Sequence, residues 1–201
     1  MLIVKKAYLF IDGSNLYSGQ YELFGPKAYL NFSKLIKEIE NQSKISFLKI
    51  YFYASYSPKS KYPTIKEKLY LKNEALFYKN VKQTKNVIFF TGYRSKTSGK
   101  EKEIDVKLAT DLVAYAFLKR YSQVFLMTGD ADFLQALLTV KQYHKNIKIR
   151  LLCFENKIMY KGMFRFPTNI IQIVKEPMIY NKSRNLKILK VDKNKVKIVI
   201  D

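Results

Sequence analysis

The chain has 201 residues, of which 37 are Lys or Arg and 16 are Asp or Glu, so its formal net charge is +21 at pH 7. This length predicts one main domain, and an apolar fraction of 48% excludes an intrinsically disordered chain. No apolar run approaches the roughly 20 residues of a membrane span, and a lone cysteine excludes an internal disulfide framework. The first apolar stretch is too short for a signal-peptide core, so we expect a cytoplasmic protein.

Strands alternate with helices along most of the chain. A buried strand is predicted over Tyr8–Ile11, followed by a polar turn at Asp12–Asn15. The further strands are predicted over Phe47–Tyr53, Val87–Phe90, Val124–Met127, Ile147–Phe154 and Asn169–Val174. The helices are predicted over Asn31–Ile39 (capped by Asn31 or Ser33), from Thr64 to about Val81, over Ile104–Tyr121 and over Phe133–Tyr143. This alternation predicts an α/β sandwich with a mainly parallel central sheet.

The C-terminal part of the chain departs from this pattern. Beyond Pro177, Leu186–Val191 and Val196–Ile200 flank a turn and are predicted to form a basic β-hairpin. We therefore expect a main domain over residues 1–177 and a short basic extension over residues 178–201.

The positive charge narrows the choice of partners. A surplus of this size attracts polyanions, with nucleic acid first and an anionic membrane surface second. Lysines alternate with tyrosines between Tyr56 and Lys72, a composition suited to phosphate contact and base stacking. The alternative is that this stretch is the solvated side of a helix and that the lysine content reflects AT-rich coding. We favour nucleic acid and expect no membrane partner.

The aspartates are clustered although the chain is poor in acid. Five of the seven lie in three short segments, namely Asp12, the pair Asp105 and Asp111, and the pair Asp130 and Asp132. The carboxyl ends of parallel strands meet at one edge of a sheet, and the first turn of each following helix lies over that edge. We therefore expect Asp12, Asp105, Asp130 and Asp132 to converge there.

Converging carboxylates indicate a metal site. Like charges a few ångströms apart repel unless a cation neutralises them, and oxygen ligands without His or Cys favour Mg²⁺ or Mn²⁺ over zinc. Such sites activate water for attack on phosphodiesters. Asp111 is a less favoured ligand, because it lies about 9 Å along the helix from Asp105 and some 120° around it, and pairs more readily with Lys107.

Simpler explanations exist for each of these acids. Asp12 can cap a turn, Asp130 and Asp132 can be the cap and the first-turn acid of a helix, and Asp105 can be an ordinary first-turn acid. These explanations require three independent caps to coincide at one sheet edge. The metal-site interpretation explains that coincidence.

Three segments together resemble the signature of a known family. Phe10–Tyr17, Lys102–Leu112 and Met127–Phe133 are similar, in order and spacing, to the signature segments of NYN domains in the PIN-like nuclease superfamily, with the bacterial LabA-like branch fitting best. The resemblance covers about residues 5 to 175. It implies a PIN-like three-layer α/β/α fold and a Mg²⁺ or Mn²⁺ site that cleaves RNA. The residues that it marks for the site are Asp12, Asp105, Asp130 and Asp132, with Asn15 as a supporting polar group and Asp111 as a usual member of the family pattern.

Three functions compete at this point. The leading hypothesis is a metal-dependent ribonuclease acting on RNA, single-stranded in preference to duplex, with DNA and a homo-oligomeric state left open. In it Asp12, Asp105 and Asp130 bind metal, Asp132 completes the cluster or positions water, and Asn15 orients a ligand or the scissile phosphate. The second is a nucleic-acid-binding or regulatory module on the same fold that cleaves nothing. The third, a phosphatase of the haloacid dehalogenase type, is disfavoured because it needs a second Asp two residues after Asp12, where this chain has Ser14.

Overall fold

A computed structural model describes the chain over residues 6–25, 30–94, 101–154, 171–174 and 188–190. Its helices are α1 (Gly13–Phe24), α2 (Phe32–Ser43), α3 (Ile65–Lys82), α4 (Ile104–Phe117) and α5 (Leu134–Tyr143), the last preceded by a 3₁₀ turn at Ala131–Phe133. Its strands are β1 (Ala7–Asp12), β2 (Phe47–Ala54), β3 (Val87–Thr91), β4 (Tyr93–Arg94), β5 (Glu101–Lys102), β6 (Gln123–Met127), β7 (Lys148–Phe154), β8 (Ile171–Val174) and β9 (Ile188–Lys190).

The main sheet is parallel except at one edge. Its strand order is β3-β2-β1-β6-β7-β8-β9, and only β9 runs antiparallel to its neighbour; β4 and β5 form a separate two-stranded ribbon. The predicted α/β/α sandwich with a mainly parallel sheet is therefore confirmed. The order places the carboxyl end of β1 between those of β2 and β6, at the centre of one sheet edge.

Two hydrophobic cores lie on opposite faces of this sheet. Alternate residues of a strand point to opposite faces, so Leu9 and Ile11 join the core beneath α1, α2 and α3. Tyr8 and Phe10 join the other core, beneath α4 and α5. Burial on both faces explains why β1 is apolar along its whole length until Asp12.

Helix α1 begins where the sequence predicts a polar turn, so that prediction is wrong. Asp12 is the N-cap of the helix, and its carboxylate accepts a hydrogen bond from the backbone N–H of Asn15. Leu16 and Tyr17, one helical face of the next turn, are buried in the core. The residues that are typical of a turn therefore form the start of a helix, and the packing of the next turn against the core stabilises the helix beyond them.

Gly13, the first residue of α1, is fixed by close packing. A Cβ atom there would overlap the ring of Phe52 and stand 2.9 Å from the Cβ of Ala54. The Phe52 ring is fully buried and packed edge-on against Phe32, so it cannot move aside.

We expect Gly13→Ala to lower the free energy of unfolding by about 3 kcal/mol, because overpacking outweighs the better helix propensity of alanine. Urea denaturation measures the loss. The same substitution in a Phe52→Leu background should cost less, since the smaller side chain leaves room for the methyl group. A Gly13→Ala protein as stable as the wild type would show that this packing is looser than described.

The other element boundaries agree with prediction to within a few residues. The N-cap of α2 is Asn31, and α3 begins with the capping box of Thr64 and Glu67. Helix α4 ends at Phe117, four residues before the predicted end, because Lys119 takes a left-handed conformation with φ of 52°.

The C-terminal prediction is only partly within the described residues. The strand predicted at Leu186–Val191 is present as β9, which pairs with β8. The second arm of the predicted hairpin, Val196–Ile200, lies outside the described residues, and the boundary at residue 177 stays a prediction. Within the described residues, no helix combines the length and the apolar character that crossing a bilayer requires.

Candidate active site

A polar cleft opens at the carboxyl edge of the sheet, over the end of β1. Its volume is about 340 Å³. The lining residues come from both sides of β1 and all carry a carboxylate, a hydroxyl or an amide: Asp12, Ser14, Asn15, Ser18, Ser55, Ser57, Tyr70, Glu74, Asp105 and Asp130. The cleft therefore contains four of the five side chains that the sequence marked for the site.

Asp12 is the most buried aspartate that lines the cleft, with only 6% of the residue exposed. Burial raises the pKa of Asp12 to about 7, and the nearby carboxylates of Asp105 and Asp130 add to the rise, while hydrogen bonds from Asn15 and Thr128 oppose it. At neutral pH this carboxyl group is thus held near the midpoint of its titration. A cation bound beside it would favour the charged form.

Side-chain hydrogen bonds fasten the end of β1 to the segment after β6. Thr128 donates from Oγ1 to Oδ2 of Asp12 over 3.0 Å, and Oγ1 of Thr128 in turn accepts from the N–H of Asp130 over 3.1 Å. Asn15 accepts at Oδ1 from the N–H of Gly129, also over 3.0 Å. Asn15 is therefore a supporting residue that positions the backbone next to Asp130. We refer to these three bonds as the strand clamp.

Asp130 reaches the cleft from the end of β6, and Asp105 reaches it from the start of α4, where Ile104 and Ser55 both lie beside Gly92. Asp105 lies in the first turn of α4, and Asp130 follows β6 after two residues. The expected convergence of Asp12, Asp105 and Asp130 at one edge is present in the structure.

Asp132 stands apart from these three. Its side chain is exposed and is not among the residues that line the cleft, while its N–H donates to Oδ1 of Asp130 over 3.0 Å. Asp132 lies in the 3₁₀ turn at residues 131–133, where its backbone rather than its side chain contacts Asp130.

Several of the simpler explanations also hold. Asp12 caps α1, and Asp130 accepts from the N–H two residues ahead, as a turn-forming aspartate does. Each cap uses one carboxylate oxygen. Because every such oxygen has two lone pairs, capping and cation binding are compatible at both residues.

Asp111 lies outside the cleft and serves the packing between α4 and β2. It is 6% exposed, and its Oδ2 accepts a 2.8 Å hydrogen bond from the buried hydroxyl of Tyr53. Lys107 places Nζ 2.5 and 2.6 Å from its two oxygens and also lies over the ring of Phe90. The predicted pairing with Lys107 is present, and it leaves that lysine engaged within the fold.

We expect Asp111→Ala to lower the free energy of unfolding by about 2–3 kcal/mol, because it leaves the buried Tyr53 hydroxyl without its acceptor. Thermal and urea unfolding measure the loss. Asp111→Asn, which keeps an acceptor, should cost less. A cleft function that is abolished in a stably folded Asp111→Asn variant would instead place Asp111 in the site.

The sequence reasoning missed the wall of the cleft on the β2 side. Glu74 is 2% exposed and accepts hydrogen bonds from Ser57, at 2.9 Å from its N–H and 2.7 Å from its hydroxyl. The one available signal was its position, since Glu74 precedes the buried residues Phe77, Tyr78 and Val81 at helical spacing on α3. A charged residue at the end of an apolar stripe predicts a specific partner.

The donor chemistry of the cleft fits a hard divalent cation. The groups facing it are carboxylate, hydroxyl and amide oxygens, the ligands that Mg²⁺ and Mn²⁺ prefer. Within the described ranges, no three carboxylate, imidazole or thiolate groups are gathered tightly enough to form a ready coordination shell. Asp12, Asp105 and Asp130 are thus neighbours in one cleft, and a cation would draw them closer together.

Comparisons with known proteins agree with the fold. A family model described as "NYN domain" matches residues 6–160. The chain is also similar to a crystal structure of a protein of unknown function from Vibrio parahaemolyticus RIMD 2210633, with a TM-score of 0.63 and 13% sequence identity. That match covers 89% of this chain and 98% of the other, and at such low identity it bears on the fold alone. No curated protein matches the chain.

Proposed function

Because the chain belongs to the NYN domain family, part of the PIN-like nuclease superfamily, we propose that it is a divalent-metal-dependent ribonuclease acting at the cleft over β1. The observation that carries this proposal is the buried Asp12 at the carboxyl end of the central strand, in one cleft with Asp105 and Asp130. In a chain with a net charge of +21, an acidic cleft inside a basic protein suits a phosphodiester substrate.

The proposed roles follow from position. Asp12, Asp105 and Asp130 hold Mg²⁺ or Mn²⁺, and Asp132 contributes from the margin of the cleft. A bound cation supplies charge neutralisation for the attack of water on the phosphorus atom. Asn15 and Thr128 keep the carboxylates of Asp12 and Asp130 in register through the strand clamp.

The RNA strand approaches along the segment that follows β2. Residues 56–64 leave the sheet at the edge that carries the cleft, and Lys59, Lys61 and Tyr62 are exposed there. Lys61 lies over the Tyr62 ring at 5.5 Å from its centre. Exposed cations beside exposed rings favour single-stranded RNA, whose phosphates and unstacked bases they can contact together.

The assay that tests this proposal is cleavage of an end-labelled single-stranded RNA by the purified protein, titrated with Mn²⁺ and then quenched with EDTA. We expect metal-dependent products from the wild type and none from Asp130→Asn. Equal cleavage by both proteins would indicate a contaminating nuclease and remove the support for this site.

One observation favours a second candidate function. The net charge of +21 and the exposed lysines and ring after β2 account for nucleic-acid binding without any cleavage, as expected for a module that keeps the fold and cleaves nothing. Salt-sensitive RNA binding without metal-dependent products in the same experiment would favour that module.

A further inference from the structure

The cleft has two chemically different walls. Asp12 and Asp130, which follow the ends of β1 and β6, and Asp105, in the first turn of α4, form the acidic wall. The second wall follows the end of β2 and carries the hydroxyls of Ser55 and Ser57. Ile104, the residue before Asp105, and Ser55 both lie beside Gly92, so the two walls are neighbours.

Ser57 is held as a hydrogen-bond acceptor. Its hydroxyl proton is directed to Oε1 of Glu74 over 2.7 Å, and its N–H is directed to Oε2 over 2.9 Å. A serine oxygen that donates its only proton to a carboxylate offers its remaining lone pairs. Tyr70 also lines the cleft, and its hydroxyl is hydrogen-bonded to the Ser57 side chain, which leaves one lone pair of the Ser57 oxygen for a ligand. Glu74 therefore determines that Ser57 offers a ligand in the cleft a hydrogen-bond acceptor.

Ser55 is buried without a hydrogen-bond partner. It follows directly after β2 and is 2% exposed, and its Oγ has no partner among the residues that the structure describes. A buried hydroxyl that makes no hydrogen bond destabilises the fold, because it has lost its bonds to water without a replacement. Rotation about its Cα–Cβ bond moves Oγ between staggered positions, so a ligand in the cleft can satisfy it.

We propose that the hydroxyl wall of Ser55 and Ser57 is a ribose subsite that recognises the 2′-hydroxyl of the nucleotide next to the scissile phosphate. This inference rests on the proposed nuclease function and names how the site selects RNA over DNA. The 2′-hydroxyl is both a donor and an acceptor, so it can donate to the Ser57 oxygen and accept from the Ser55 hydroxyl. A deoxyribose offers only C–H at this position, so it leaves the Ser55 hydroxyl without a partner and makes no hydrogen bond to the Ser57 oxygen.

The test compares binding and cleavage of an RNA oligonucleotide with those of a DNA oligonucleotide of the same base order, U being replaced by T. Binding is measured by fluorescence anisotropy in EDTA and again in Ca²⁺, and cleavage is measured in Mn²⁺. The proteins are the wild type, Ser55→Ala, Ser57→Ala and Ser46→Ala. Ser46 is the matched control, because it is exposed at the start of β2, at the opposite edge of the sheet.

We expect the wild type and Ser46→Ala to bind RNA about ten-fold more tightly than DNA. Ser57→Ala and Ser55→Ala should each lose most of that preference through weaker RNA binding, with DNA binding unchanged. Thermal unfolding verifies that every variant is folded.

The outcomes separate this inference from the nuclease proposal. A serine-dependent RNA preference in binding, without any cleavage, supports the subsite and contradicts only the nuclease activity. Metal-dependent cleavage with no RNA preference, or with a preference that survives both serine substitutions, overturns the subsite and leaves the nuclease intact.

Discussion

Asp12→Asn is expected to lower the rate of Mn²⁺-dependent RNA cleavage at least about 1,000-fold, the largest effect of any single substitution in the cleft. The change removes the charge of the most buried carboxylate of the acidic wall and keeps an oxygen acceptor for the N–H of Asn15. The amide NH₂ then faces Thr128, whose hydroxyl oxygen can accept from it. Asparagine is also as good an N-cap as aspartate, so α1 should be retained. Single-turnover cleavage of labelled RNA measures the rate, and anisotropy measures RNA binding, which should stay close to that of the wild type.

Asp111→Asn is the matched control for this experiment. It makes the same chemical change at an equally buried aspartate that lies outside the cleft. We expect it to cleave at nearly the wild-type rate below its melting temperature, and Asp132→Asn to fall between the two variants. Equal rates for Asp12→Asn and the wild type would place the chemistry elsewhere.

The second large effect is on stability and depends on pH. Because burial raises the pKa of Asp12 to about 7 in the folded protein, the fold keeps a proton there that the unfolded chain releases near its ordinary pKa of 3.8. The folded state binds more protons between these values, so stability falls as pH rises through that window. Above about pH 7 the loss attributable to Asp12 is complete and amounts to about 4 kcal/mol.

Melting temperatures in EDTA at pH 5 and pH 8.5 measure this effect. Asp12→Asn has no such titration, so its advantage over the wild type should grow by about 8–16 °C between the two pH values. The comparison cancels the pH dependence of the other groups, which the two proteins share. If the difference in melting temperature between Asp12→Asn and the wild type is the same at both pH values, Asp12 is ionised in the folded protein without a loss of stability.

The positions of the catalytic candidates were predictable because they depend on local signals. Asp12 and Asp130 follow apolar runs that read as strands, and the geometry of a parallel sheet then brings strand ends together. The cap of α3 was also readable, since Thr64 and Glu67 have the spacing of a capping box. These features require no knowledge of distant partners.

Features that depend on distant partners were not predictable. Helix α1 begins with residues typical of a turn, and it is the packing of Leu16 and Tyr17 that makes the segment helical. Glu74 gains its role from Ser57, which lies 17 residues earlier. Asp111 accepts a hydrogen bond from Tyr53, 58 residues away, and neither its place in the family signature nor its neighbours in the sequence predicts that contact.

The strand clamp also determines when the cleft can exist. Its bonds join Asp12 to Thr128 and Asn15 to Gly129, which are 116 and 114 residues apart in the chain. During synthesis the basic segment after β2 leaves the ribosome long before the residues that complete the acidic wall. A nascent or truncated chain that stops before residue 130 therefore carries cationic surface without an assembled acidic cleft. The proposed activity is thereby restricted to chains that have already paired β1 with β6.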